Sequence, residues 1–135
     1  MANALYDKGR EGYLNGTLNW LTDDVRCILI NVGAYTVNLT TDQFLSDVPG
    51  GARVSVSGAL TTKTATAGVA DADDVTFSLV TGATVSAVVI YKHTGVDATA
   101  RLIAYLDTMT GVPFTPSGGN VAIQWDNGPN KIFKL

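Results

Sequence analysis

Apolar and polar residues along this chain recur with a period of two far more often than with the helical period. Ala52, Val54 and Val56 alternate with Arg53, Ser55 and Ser57. Val75, Phe77 and Leu79 alternate with Thr76 and Ser78, and Val121, Ile123 and Trp125 with Ala122 and Gln124. Tyr35, Val37 and Leu39 do the same around Thr36 and Asn38. Successive side chains of a strand point to opposite faces, so each run predicts a half-buried strand. Residues 25–32 (VRCILINV) are a β-branched apolar run of strand length with polar Arg26 near its start, and two further runs are apolar in part on both faces: residues 85–91 (VSAVVIY) and 101–106 (RLIAYL). The last two predict central strands, although residues 98–106 also have the propensity of a helix. Residues 63–67 (KTATA) predict a short polar edge strand on which Lys63 discourages unwanted pairing. Residues 132–135 predict a last strand.

Turn signals separate these runs: 71–74, Thr81-Gly82, Thr94-Gly95, Gly111 with Pro113, 117–119 and Asn127-Gly128-Pro129. Residues 41–45 (TDQFL) predict one helical turn capped by Thr41 or Asp42. Residues 2–14 are the best helix candidate, weakened by Gly9 and Gly12 at about 1 kcal/mol each. The same stretch also reads as an irregular arm that orders against a partner. The expectation is a mainly β fold, an antiparallel β-sandwich or jelly-roll-like barrel over residues 22–135, preceded by an N-terminal helix or arm over residues 1–21. No internal repeat or linker divides the chain.

Composition narrows the function classes. The 135 residues carry 16% charged side chains, against about 25% in ordinary soluble domains. Charge is depleted at interface cores, so this skin is suited to being covered. A Thr- and Ser-rich monomer has the same composition. Net charge is −3 and the nine Lys and Arg are scattered, so neither a phosphate-binding stripe nor a polybasic membrane patch is present. No apolar run approaches the roughly 18 residues of a membrane span. Residues 1–10 lack the apolar centre of a secretory signal, which predicts folding in a cytoplasm.

Candidate chemistry is sparse. Cys27 is the only cysteine, set among Val25, Ile28 and Leu29, and reads as a buried hydrophobe. His93 is the only histidine, so any triad must use it, and no G-x-S-x-G elbow accompanies it. Residues 71–74 (DADD) resemble a calcium loop only in charge and read better as a solvated turn. No catalytic, cofactor or metal residue is assigned. Aromatic residues are more informative. Tyr6, Tyr13, Trp20 and Tyr35 crowd the first part of the chain, and Trp and Tyr are enriched at interfaces and on sugar platforms. Trp125, on an alternating run, reads as core. The expected partner interface is Leu5, Tyr6, Arg10, Tyr13, Leu14 and Trp20, although Tyr6 and Tyr13 suit packing back on their own domain equally well.

Residues 1–20 (MANALYDKGREGYLNGTLNW), 89–95 (VIYKHTG) and 124–135 (QWDNGPNKIFKL) resemble a family of small tailed-bacteriophage virion structural proteins. The resemblance covers both ends and the middle of the chain and brings no functional-residue motif with it. It implies a virion component, first of all a capsid-decorating (cement) protein on the outside of the phage head. A head or tail fibre or adhesin module that binds carbohydrate comes second. The partners it implies are the major capsid protein or other virion proteins, with the chain as a dimer or trimer, at the capsid surface after folding in the host cytoplasm. Under that reading residues 1–21 reach a capsid subunit or a neighbouring copy.

Overall fold

The structure is a computed structural model and describes residues 3–135; Met1 and Ala2, the start of the expected arm, lie outside the described residues. The fold is mainly β, with ten strands in antiparallel sheets and one short α-helix among the described residues. In chain order the elements are β1 (Ala4–Leu5), α1 (Asp7–Leu14), β2 (Val25–Ile30), β3 (Arg53–Val56), β4 (Thr64–Thr66), β5 (Val69–Asp71), β6 (Val75–Phe77), β7 (Ala87–Lys92), β8 (Leu102–Leu106), β9 (Val121–Ile123) and β10 (Phe133–Lys134).

The main sheet has the order β1-β8-β7-β2-β3. β7 and β2 pair without interruption from Val25 opposite Lys92 to Ile30 opposite Ala87. The runs at residues 85–91 and 101–106, predicted as central strands, supply β7 and β8 inside the sheet, and the apolar run from Val25 supplies β2 beside them. Alternate residues of these strands feed two cores. Cys27, Leu29, Val88 and Ile90 face one side, where the small sheets β10-β5-β4 and β6-β9 cover them. Ile28, Ile30, Val89 and Tyr91 face the other, covered by the long connection between β2 and β3. Burial on both faces explains why these strands read as continuous apolar runs. The pairing of β7 with β8 shifts between Ile90 and Tyr91, a bulge that sends both Ile103 and Ala104 into the first core.

The sheets stack as a sandwich. β1 and β3 end the main sheet without a further neighbour, so among the described residues no barrel closes. Several local expectations need correction. Residues 35–39 alternate in burial as expected but form no ladder. The helical turn of residues 41–45 falls instead at Leu45–Asp47, where the Asp47 carboxylate accepts from the amides of Gln43 and Phe44. Leu79 leaves its strand with φ 50° and is 73% exposed.

The segment expected as a helix or an arm holds the helix α1 at Asp7–Leu14, and just before it the chain is woven into the sheet. β1 pairs with β8, Ala4 opposite Tyr105 and Leu5 opposite Ala104. Tyr6 follows, fully buried, and its amide donates to the Ile103 carbonyl. Alternation sends Leu5 into one core and Tyr6 into the other. The Tyr35 hydroxyl donates to an Asp42 carboxylate oxygen at 2.6 Å, which leaves it to accept from the Tyr6 hydroxyl at 2.9 Å. Tyr35→Phe strands the Tyr6 hydroxyl in the core. A buried donor left unmade costs about 2 kcal/mol, and urea unfolding is expected to register a loss of that size. A loss below roughly 0.5 kcal/mol, the range of ordinary surface substitutions, would contradict this placement.

Candidate functional site

The helix α1 begins after Tyr6, with Asp7 in its first turn where the helix dipole favours an anion. Ion pairs of Lys8 with Glu11 at 2.7 Å and of Arg10 with Asp7 at 3.0 Å brace its outer side. Its inner side is nearly bare: Gly9 and Gly12 are the buried positions. At Gly9 a Cβ would lie 2.8 Å from the Ile103 carbonyl oxygen, so the helix rests directly on the backbone of β8. The chain turns at Gly16, φ 81°, and tucks Leu18 under Gly12.

This placement carries the end of α1 to the small sheet. The Tyr13 ring lies 6.1 Å from that of Phe133 on β10, and Trp20 meets Phe133 edge-on at 5.3 Å. The Trp20 indole donates to the Asp71 carbonyl on β5. Between these groups runs an apolar groove made of two adjoining hollows. The first, about 270 Å³, is walled by Tyr13, Trp20, Leu21, Val69, Phe133 and Leu135. The second, about 350 Å³, is bounded by Leu5, Arg10, Tyr13, Leu14, Lys134 and Leu135. Tyr13 and Leu135 belong to both. The Tyr13 hydroxyl is buried in this wall without a hydrogen-bond partner among the described residues, and burial pushes its pKa up. Leu14 is 90% exposed, Leu135 59% and Leu21 54%. Three large aliphatic side chains left in water along one groove form the kind of patch that marks interaction surfaces.

Five of the six expected interface residues, Leu5, Arg10, Tyr13, Leu14 and Trp20, border this groove. They do so unequally: Leu5 and Trp20 are buried walls, whereas Arg10 and Leu14 face solvent. Tyr6 does not belong with them. It points to the opposite core, because neighbouring residues of a strand face opposite ways. The far wall, Phe133 and Leu135, is the part sequence reasoning missed.

The remaining candidates have structural surroundings. Asp73 accepts from the Thr62 hydroxyl at 2.7 Å, Asp74 accepts from the Trp125 amide at 3.0 Å, and the Asp73 carbonyl accepts from the Trp125 indole. The acidic turn thus seats Trp125 in the core. Among the described residues no group of three or more His, Cys, Asp or Glu is placed to hold a metal ion. His93 packs edge-on against Tyr91 at 6.2 Å, and its amide donates to the Asp24 carbonyl. Cys27 is fully buried, and burial pushes its thiol up to about 12, which keeps it protonated and unreactive at neutral pH. Among the described residues no helix is long and apolar enough to cross a membrane. In comparison with known proteins, no family model matches the chain and no curated protein matches it significantly.

Proposed function

We propose that this chain is a structural virion component, a capsid-decorating protein that binds the outside of a phage head through the groove between α1 and β10. The observation that carries the docking half is the exposure of Leu14, Leu21 and Leu135 along one apolar groove. The sequence resemblance supplies the virion half. A decoration protein needs no strong single site, because repetition over a symmetric shell multiplies weak contacts. The proposal includes self-association as a dimer or trimer on that shell.

The carbohydrate-binding alternative loses its platform. Trp20 and Trp125 are each 5% exposed, and both indole N–H groups donate to the chain's own carbonyls. Tyr6, Tyr35, Tyr91 and Tyr105 are buried as well.

Co-sedimentation of the purified protein with heads lacking it tests the proposal. Wild type is expected to pellet with the heads. Leu14→Asp is expected to weaken that binding about tenfold or more, the effect of losing one interface anchor. Its stability should change by no more than about 0.5 kcal/mol, because the side chain touches little of its own domain. Unaltered co-sedimentation of Leu14→Asp would remove the groove from the account, and a wild type that ignores heads would remove the virion role.

A further inference from the structure

Cations are not evenly satisfied in this molecule. Of the nine basic residues, seven have a partner among the described residues. Lys8, Arg10, Arg26, Arg53 and Lys92 pair with carboxylates. The Lys63 ammonium donates to the Asp23 carbonyl, and the Arg101 guanidinium lies over the Phe44 ring at 4.4 Å. Lys131 and Lys134 have neither an ion pair nor a side-chain hydrogen bond among the described residues. Both stand on the same segment, and both line a cleft of about 310 Å³ between β1 and β10, with Asn3, Leu5, Arg10 and Asp126 among its other walls. Arg10 is already paired with Asp7, so two unpaired lysines share the cleft with one carboxylate, Asp126, on a chain whose net charge is −3.

This cleft continues the apolar groove, since Leu5, Arg10 and Lys134 border both. The two strands beside it differ. The outward Leu5 carbonyl of β1 already accepts from Arg10 at 3.1 Å. β10 is the last strand of its sheet, and an unpaired edge is a template for an added strand.

We infer that the segment docking in the groove is an extended, acidic–apolar stretch of a partner protein, laid along β10 with its apolar residues over Tyr13, Leu14 and Leu135 and its carboxylates on Lys131 and Lys134. This deepens the docking reading and rests on it. A second copy meeting this patch about a two-fold axis would bring the same unpaired lysines to the interface from both sides, since such an interface uses one patch on both subunits. Charge of the opposite sign therefore belongs to a different chain.

The test uses the full-length ¹⁵N-labelled protein and two synthetic peptides of equal length. Each has an alternating Leu/Val half, followed by a Glu-rich half in one and a Lys-rich half in the other. The acidic peptide is expected to shift the amides of residues 10–14 and 131–135 and to bind roughly tenfold more tightly than the basic one, an advantage that shrinks with added salt. In Lys131→Glu/Lys134→Glu the preference should invert, because reversed charges attract the basic peptide. Equal binding of both peptides, binding of neither, or shifts confined to other surfaces overturns the inference. Head co-sedimentation separates this failure from that of the parent reading. If Leu14→Asp abolishes pelleting while the double lysine variant pellets like wild type, the groove stands and its acidic occupant does not.

Discussion

Gly9→Ala is expected to destabilise the protein by about 2–3 kcal/mol, although alanine in an isolated helix is worth about 1 kcal/mol over glycine. The sign reverses because the new methyl would meet backbone. It would sit 2.8 Å from the Ile103 carbonyl oxygen, 2.9 Å from that of Leu102 and 3.1 Å from the Ile103 Cα. A side chain can rotate away from such a contact, but β8 is held on both sides by β1 and β7. The helix has to lift instead, loosening Tyr6 and opening the groove at Tyr13. Gly12→Ala should cost less, since its nearest neighbour is the Leu18 side chain at 2.7 Å. Gly51→Ala, where nothing lies within 4 Å, serves as the neutral control. Urea unfolding of the three variants checks the order. A Gly9→Ala protein as stable as wild type would mean that α1 does not rest on β8.

Alkaline pH is expected to unfold the protein in one cooperative step above about pH 10, where the tyrosines of the unfolded chain ionise. All five tyrosines have raised pKa values, in each case chiefly through burial. The Cys27 thiol is raised to about 12 for the same reason. In the unfolded chain the thiol ionises near about 8.5 and the tyrosines near about 10. Below those values both states are protonated and the contribution to stability is complete. Above them the unfolded state releases protons that the folded state retains, so stability falls as pH rises. Each such group contributes about 1.4 kcal/mol per pH unit. Tyr6, Tyr35 and Cys27 alone account for roughly 4 kcal/mol per unit, a large part of the ~5–15 kcal/mol that holds a typical domain together. Tyrosinate absorbance and far-ultraviolet circular dichroism should therefore change together. Gradual ionisation centred near about 10, with the dichroism unchanged, would mean that the tyrosines are accessible in the fold.

What the sequence disclosed depended on how local the determining interaction was. β2, β7 and β8 were legible because burial on both faces writes itself as an unbroken apolar run. The edge position of β4 was legible from its polar residues and Lys63. β5 was not. It follows a two-residue turn at Ala67 and Gly68, with φ 54° and 78°, and alanine is a poor sign of a left-handed turn position that usually takes Asn, Asp or Gly. The alternation of residues 35–39 does mark one more buried side, yet Tyr35 is held through Asp42 and Tyr6 rather than through a ladder. Gly9 shows the limit most plainly. As a helix residue it is a weakness, and only the position of β8, some ninety residues away, makes it a requirement.

The candidate site divides along the same line. Tyr13 and Leu14 could be suspected from the aromatic and apolar residues crowded into the first part of the chain. Phe133 and Leu135 could not be joined to them, because nothing local in residues 132–135 says which end of the molecule that strand meets. The separation of Leu5 from Tyr6 was available in principle, since adjacent residues of a strand face opposite ways. It required knowing that residues 4–5 are a strand, which two residues cannot signal.

Hydrogen–deuterium exchange of the full-length protein, alone and bound to phage heads, tests the docking claim most directly. Amides at the end of α1, residues 10–14, and of β10, residues 132–135, are expected to gain protection on the heads while β3 and β4 exchange as before. Protection confined to β3 and β4, with α1 and β10 unchanged, would contradict the account.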